Sequence, residues 1–255
     1  YGSHACNLGA VLAYELACVN KKPAYIVDPV IVDELIDLAR VSGFKGLNRV
    51  SIFHALNHKA IAKRYSRDIN KRYEDLNLIV AHLGSGISVA YHRQGRVIDV
   101  NNALGGSGSF TPERVGTLPV FQLIELSYSG QYDKEELKKM LVTKGGLVSY
   151  LGTSDGLEIR KRIEENDAEA KFYLEAMAYQ VTKEIGALYM TAGGKVDQLL
   201  ITGGLAHFDL FVNMVIKNIN KIIPVTVYPG EDEMQALVLG ALRVLNNDEE
   251  VKIYE

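Results

Sequence analysis

The chain has 255 residues, 47% of them hydrophobic, with 28 Lys and Arg against 31 Asp and Glu for a net charge of -3. That length can bury a real core in one large domain or two smaller ones. The interspersed charges exclude the one-sided basic field of a nucleic-acid groove. No apolar run reaches the ~20 residues that span a bilayer, and no signal peptide is legible.

The chain opens Tyr1-Gly2-Ser3-His4, not on methionine, and reads as the middle of a longer protein. Asn7 to Cys18 reads as a helix, with Leu8, Val11, Leu12 and Leu16 in helical spacing. Its two cysteines, Cys6 and Cys18, lie roughly 18 Å apart at ~1.5 Å per residue, too far for a mutual disulfide. Both are expected to be buried small apolar residues in a reducing, cytoplasmic compartment. Ala24 to Val27 reads as a short strand stopped by Asp28-Pro29, and Val32 to Val41 as a helix ended by Gly43. His54 to about Ser66 is a further helix.

Leu76 to Leu83 is the clearest buried strand, turned by Gly84-Ser85-Gly86. Ile87 to Tyr91 and Arg96 to Val100 complete a three-strand meander. Gly105 to Thr117 is a glycine-rich loop too long to be a mere connector. Asp133 opens a helix with Glu136 placed for a capping box, and Asp167 to Met190 is a long amphipathic helix closed by Gly193-Gly194. Gln198 to Ile201 is a strand ending in Thr202-Gly203-Gly204. It is followed by a helix from about Phe208 to Asn220, a strand at Val225 to Tyr228 and a helix from Glu231 to Leu245. The order βββ, helices, βαβα predicts an α/β fold: a mixed sheet with helices on its faces.

Several residues are candidates for chemistry. The turns at Gly84-Ser85-Gly86 and Gly203-Gly204 follow buried strands, where peptide N–H groups can hold a phosphate; each could equally be an ordinary turn. The first joins two strands, so it is no Rossmann fingerprint, and there is no Walker A lysine. His54 and His58 stand four apart on one helical face, a spacing that suits zinc, but Ala55 stands where a metalloprotease would carry its glutamate. His82 ends an apolar strand directly before a phosphate-type turn, where a histidine needs a reason. Arg114, inside the glycine loop, suits a phosphate or carboxylate, or pairs with Glu113. Asp28 lies at a strand end, or merely forms an Asp-Pro turn. Glu231, Asp232 and Glu233 suit either the dipole of the last helix or Mg2+. Asp155 reads as a helix cap or as part of a binding turn.

Taken in order, HACNLGAVLAYE (4 to 15), VDP (27 to 29), FHALNHKA (53 to 60), AHLGSGIS (81 to 88), NNALGGSGSFTPERVGTLP (101 to 119), YLGTSDG (150 to 156), ITGGLA (201 to 206) and YPGEDEMQAL (228 to 237) resemble the butyrate kinases, and more broadly the acetate kinases. The resemblance covers essentially the whole chain. FTPERVGTLP and YPGEDEMQAL are specific to the butyrate and branched-chain acid kinases, whereas the glycine turns are shared across the actin-like ATPase superfamily. It implies two ribonuclease H-like domains with a cleft between them. Residues 1–31 would be the tail of the first, 32–230 the second, nucleotide-binding domain, and 231–255 a helix packing back toward the first. The family's opening phosphate turn and a further arginine are absent here, a piece of about 100 residues.

The resemblance also implies ATP and Mg2+ as cofactors, a short-chain carboxylate as substrate, a homo-oligomer, and no nucleic-acid or membrane partner. His54, His82 and Arg114 match cleft residues around the transferring phosphoryl group. Asp28 matches the active-site aspartate and His4 another cleft histidine. Glu233 or Glu231 matches the glutamate associated with Mg2+. Gly84, Ser85 and Gly86 would face ATP phosphates, and Asp155 with Gly203 and Gly204 would border the nucleoside. Three other readings compete: a nucleotide-binding fragment without catalysis, another sugar-kinase-like member of the superfamily, and a metal hydrolase built on His54, His58 and His82.

Overall fold

A computed structural model describes residues 8–251. His4 and Cys6 lie outside the described residues. Five strands form one mixed sheet in the order β3-β2-β1-β4-β5: β1 Asn77–Leu83, β2 Ile87–Arg93, β3 Arg96–Val100, β4 Gln198–Gly203 and β5 Val225–Pro229. The meander β1-β2-β3 is antiparallel, and β4 and β5 extend it in parallel beside β1. This is the expected α/β architecture, a mixed sheet with helices on its faces.

The helices are α1 Leu8–Asn20, α2 Asp37–Arg40, α3 Ala55–Asp68, α4 Val120–Tyr128, α5 Lys134–Thr143, α6 Gly146–Leu151, α7 Gly156–Glu164, α8 Ala168–Thr191, α9 Asp209–Ile216 and α10 Glu233–Leu245. Strand alternation sends Ile79, Ala81 and Leu83 to one face, where they pack with Leu174, Met177, Val181 and Ile185 of α8 and Phe211 of α9. Leu78, Val80 and Leu200 point the other way, onto Ile61 and Ala62 of α3. His82, Ser88 and His92 share the α3 face, with His82 opposite Ser88 at one end and His92 opposite Leu78 at the other.

Three expectations are corrected. Ala24 to Val27 is not a strand among the described residues; Val27 instead presses on Gly240 of α10. The helix expected over Val32 to Val41 shrinks to α2, because the preceding residues run along the edge of β3. There the Ile36 N–H donates to Ile98 O at 3.1 Å, and Glu34 Oε2 accepts from the Val97 N–H at 2.7 Å. Cys18 is exposed, not buried, on a helix with no buried residue. The capping box at Asp133 and Glu136 forms as expected. No helix among the described residues is long and apolar enough to cross a membrane.

Candidate active site

The three parallel strands end side by side. His82 stands opposite Thr202, and Thr202 opposite Tyr228. The carboxyl ends of parallel strands are where open α/β sheets bind ligands. Here those ends carry the two predicted glycine turns and, just beyond β5, Glu231. Gly203 closes β4 at φ 93° with the Leu83 carbonyl directly against its α-carbon, a place where no side chain fits. Its N–H and C=O pair with Gly230 at 3.0 and 3.1 Å, which ties the ends of β4 and β5 together.

The Gly84-Ser85-Gly86 turn is joined to the glycine-rich loop by Thr111. The Thr111 hydroxyl donates to Ser85 O at 2.6 Å and accepts the backbone N–H of Arg114 at 2.9 Å. This stitching brings Arg114 back over Gly86, so that a β-carbon at Gly86 would strike the guanidinium. Arg114 donates one N–H to Ala103 O at 2.6 Å, while its buried Nε has no partner among the described residues. A buried cationic donor left unpaired is costly, and an anion on the turn would satisfy it. Burial already holds the Arg114 guanidinium below its ordinary pKa.

Four of the six histidines gather beneath that turn. His54 caps the start of α3, and its ring stacks on His82 with centroids 3.7 Å apart and planes 11° from parallel. His54 Nδ1 lies 2.9 Å from Ser88 Oγ, and His58 Nε2 lies 2.8 Å from the same oxygen. His82 Nδ1 faces Asn57 Oδ1 at 2.9 Å, and its Nε2 stands 3.4 Å from Glu231 Oε1. Asn57 also donates its amide to Glu231 O at 3.1 Å. Burial pushes His54 down to about 3, aided by the neighbouring charges of His82 and Arg114. Burial likewise depresses His58 well below its ordinary value and His92 to about 3. The bond to His82 holds the Glu231 carboxyl below its usual range.

The fold therefore brings together His54, His82, Arg114, the Gly84 to Gly86 turn and Glu231. Other predicted residues are placed differently. Asp28 lies 3.7 Å from Lys59, which also bonds Glu34 at 2.6 Å, and burial raises its pKa against the pull of Lys59. Asp155 caps α7 by accepting the Leu157 N–H at 2.8 Å. Gly203 and Gly204 lie at the end of β4, and Glu233 is exposed in the first turn of α10.

Sequence reasoning missed Thr111, Asn57, Ser88, His92 and Tyr73. The first three lie inside the quoted motifs TPER, FHALNH and HLGSGIS, which was the available signal. The set His54, His58 and His82 does not form a metal centre. Parallel stacked rings aim their nitrogens past one another, and Ser88 occupies the point where His54 and His58 converge. Among the described residues no group of three or more His, Cys, Asp or Glu side chains is placed to hold a metal ion. Mg2+ needs less, since it is commonly held by one or two carboxylates together with phosphate oxygens and water. A single Glu231 carboxylate beside the Gly84 to Gly86 turn fits that habit.

A family model described as the acetokinase family matches residues 44–244. The fold is similar to that of Porphyromonas gingivalis acetate kinase, with a TM-score of 0.80 and 20% identity over 93% of this chain and 68% of that one. It is also similar to the acetate kinase of Entamoeba histolytica, with a TM-score of 0.70 and 17% identity over 81% of this chain and 62% of that one. A propionate kinase from Francisella tularensis matches with a TM-score of 0.64 and 22% identity over 84% of this chain and 59% of its own. The chain thus spans about three fifths to two thirds of the length of these structures, and the likeness to them is one of fold.

Proposed function

As the chain belongs to the acetokinase family, we propose that it provides the phosphoryl-transfer residues of a short-chain carboxylate kinase, which turns ATP and a carboxylate into an acyl phosphate and ADP. The observation that carries this reading is Arg114, folded over Gly86 with a buried unpaired N–H beside the stacked His54 and His82. A carboxylate is already ionised at neutral pH, so no general base is needed. What the reaction asks for is alignment and cancellation of charge on the equatorial oxygens of the phosphoryl group. Arg114 supplies a guanidinium for those oxygens, and His54 and His82 supply imidazole donors. The Gly84 to Gly86 turn and Gly203-Gly204 leave backbone free to approach the nucleotide. Mg2+ held through Glu231, or through Glu233, would neutralise phosphate charge.

The choice of acid rests on FTPERVGTLP and YPGEDEMQAL, the segments that resemble the butyrate and branched-chain acid kinases. We therefore take butyrate or a branched acid of similar size as substrate. The domain division at residues 31 and 230 belongs to the same proposal; the contact of Val27 with Gly240 supports a link between α10 and the first segment. So do a homo-oligomeric state, a cytoplasmic setting, and cleft roles for Asp28, Asp155 and His4.

The test is acyl phosphate formation, trapped with hydroxylamine, from MgATP and acetate, propionate, butyrate or isobutyrate. It is run on this chain and on the chain supplemented with the family's N-terminal domain. Product that is greatest with butyrate or isobutyrate is the expected result. Product greatest with acetate would overturn the choice of acid alone. ADP binding with no acyl phosphate from any acid in either arrangement would leave a nucleotide-binding module and sink the catalytic reading.

A further inference from the structure

The histidines beneath the turn continue into the sheet beyond anything the transfer reaction calls for. From His54 Nδ1 the contacts run to Ser88 Oγ at 2.9 Å, from Ser88 Oγ to His58 Nε2 at 2.8 Å, and from His58 Nδ1 to His92 Nε2 at 3.4 Å, the longest step. They finish at Tyr73, whose hydroxyl lies 2.7 Å from His92 Nδ1. The rings of His58 and His92 are stacked 5.6 Å apart, and both residues are fully buried. Ser88 is fully buried as well, and Tyr73 is 5% exposed.

Each link holds one hydrogen, and the ends decide which way all of them point. Burial keeps both internal histidines neutral, so each carries a single N–H. Among the described residues Tyr73 Oη has His92 as its one hydrogen-bond partner, and Ser88 Oγ has only the two histidines. Suppose His92 donated to Tyr73. The buried phenol proton would then have no acceptor, a penalty larger than the gain from any one link. If Tyr73 donates instead, every member is satisfied in turn. Tyr73 O–H gives to His92 Nδ1, His92 Nε2–H to His58 Nδ1, His58 Nε2–H to Ser88, and Ser88 O–H to His54 Nδ1. His54 is then left with its proton on Nε2, the ring nitrogen with no hydrogen-bond partner among the described residues.

We propose that Tyr73, His92, His58 and Ser88 form a one-way hydrogen-bonded chain that fixes His54 as its Nε2–H tautomer, and that these four are positioning residues for the site. The direction is set at Tyr73, on the far side of the sheet end from the glycine turn. It delivers a donor, not a lone pair, at the second ring nitrogen of the half-buried His54. That this N–H meets the oxygens of an anion rests on the functional reading above; the tautomer itself does not. Parallel alignment of successive hydrogen bonds also polarises each link in the sense that strengthens the terminal donor. Replacing the serine by alanine would cut the chain at its centre and leave His54 free to adopt either tautomer.

The test is long-range 1H–15N NMR of the histidine side chains, which separates protonated from unprotonated ring nitrogens without any substrate. In the wild-type chain His54, His58 and His92 are expected to carry their protons on Nε2. Finding the proton on Nδ1 of either His54 or His92 would overturn the proposal, and this arm needs no variant to fold. In Tyr73→Phe the bias should disappear, so that His92 and His54 move together to mixed tautomers. A His54 tautomer unmoved in a folded Tyr73→Phe would show that the chain does not govern it. In the kinase assay the same variant should lower kcat roughly 10-fold with KM for the acid little changed. A kinase-silent chain that nonetheless shows the predicted tautomers would overturn the functional reading and leave this one standing.

Discussion

The two stacked rings at the centre of the site are chemically the same, yet their surroundings differ. His54 hands its Nδ1 to a chain that runs inward through Ser88, His58 and His92 and ends on a buried phenol. His82 is wired outward. Its Nδ1 donates to Asn57, whose orientation is fixed because the Asn57 amide must donate to Glu231 O, and its Nε2 faces the half-exposed Glu231 carboxylate. The inward set contains no carboxylate, so nothing in it rewards a charged ring. The outward set ends on an anion, the Glu231 carboxylate. The partners of each ring thus decide what it can offer: a fixed neutral donor from His54 at the start of α3, and a ring nitrogen facing a carboxylate from His82 on β1.

The comparison is broken hardest by removing the cation folded over Gly86, whose charge acts on His54. Arg114→Ala should lower kcat by about 10^3-fold, the low end of what transition-state arginines contribute in phosphoryl transfer. The fold should survive, because the Arg114 side chain contributes one hydrogen bond, to Ala103 O. Hydroxamate assays beside circular dichroism would check both halves of that statement. Gly86→Ala asks the same question more gently. Its methyl group would enter the space of the guanidinium and displace it without deleting it, so a loss of about 10^2-fold is expected, the cost of a small misplacement at the reacting centre. Retention of full activity would mean that the position of Arg114 over the turn is irrelevant to the reaction.

Sequence alone reached the mixed sheet and most of the long helices, because strand alternation and helical period are local signals. It also singled out His54, His82 and Arg114, since each sits inside a short motif. What it could not reach were contacts created by register. His92 joins the site because Ser88 pairs with His82, and β2 carries His92 on the same face two pairs further along. The union of Arg114 with Gly86 depends on Thr111 bonding Ser85 across a loop that has no regular period. Helix α6 was hidden by its start, Gly145-Gly146, which reads as a turn; Gly146 in fact has φ 57° and packs on the Thr111 carbonyl. The apolar run Ala24 to Val27 looked like a strand, and only the edge of a sheet, not a property of the run, could have made it one. Asp155 shows the opposite case, a local signal that suffices: the cap read from the sequence forms with the Leu157 N–H.

The inward half should also dominate the response to acid. His54 and His92 have folded-state pKa values of about 3, and His58 lies well below its ordinary 6.5. In the unfolded chain all three take up protons near pH 6.5, while in the folded chain His54 and His92 stay neutral until about pH 3 and burial keeps His58 neutral well below 6.5. The stabilisation is therefore complete above about pH 6.5 and is lost as pH falls toward 3, at up to about 1.4 kcal/mol per pH unit for each ring. Urea titrations between pH 7 and 5 should show stability falling with decreasing pH. His92→Phe should reduce that slope by about one proton's share, whatever it does to absolute stability. An unchanged slope would mean that His92 is protonated in the folded chain, which is incompatible with an inward half that holds no charge.

The smallest effect belongs to the outward half. Glu231→Gln keeps the size of the side chain and the backbone carbonyl that Asn57 uses, and removes only the charge facing His82. The Glu231 side chain is 43% exposed, so water screens the pair, and exposed ion pairs contribute about 0–1 kcal/mol. A stability change below about 1 kcal/mol, measured by urea unfolding at pH 7, is the expected result. A loss of about 3 kcal/mol or more would be the signature of a buried pair broken on one side. His82 would then belong to an interior as closed as that of His54, and the contrast between the two rings would collapse. If the change stays small, the carboxylate is free to serve a ligand instead of the fold, which is the property a single-carboxylate cation site at the mouth of the turn requires.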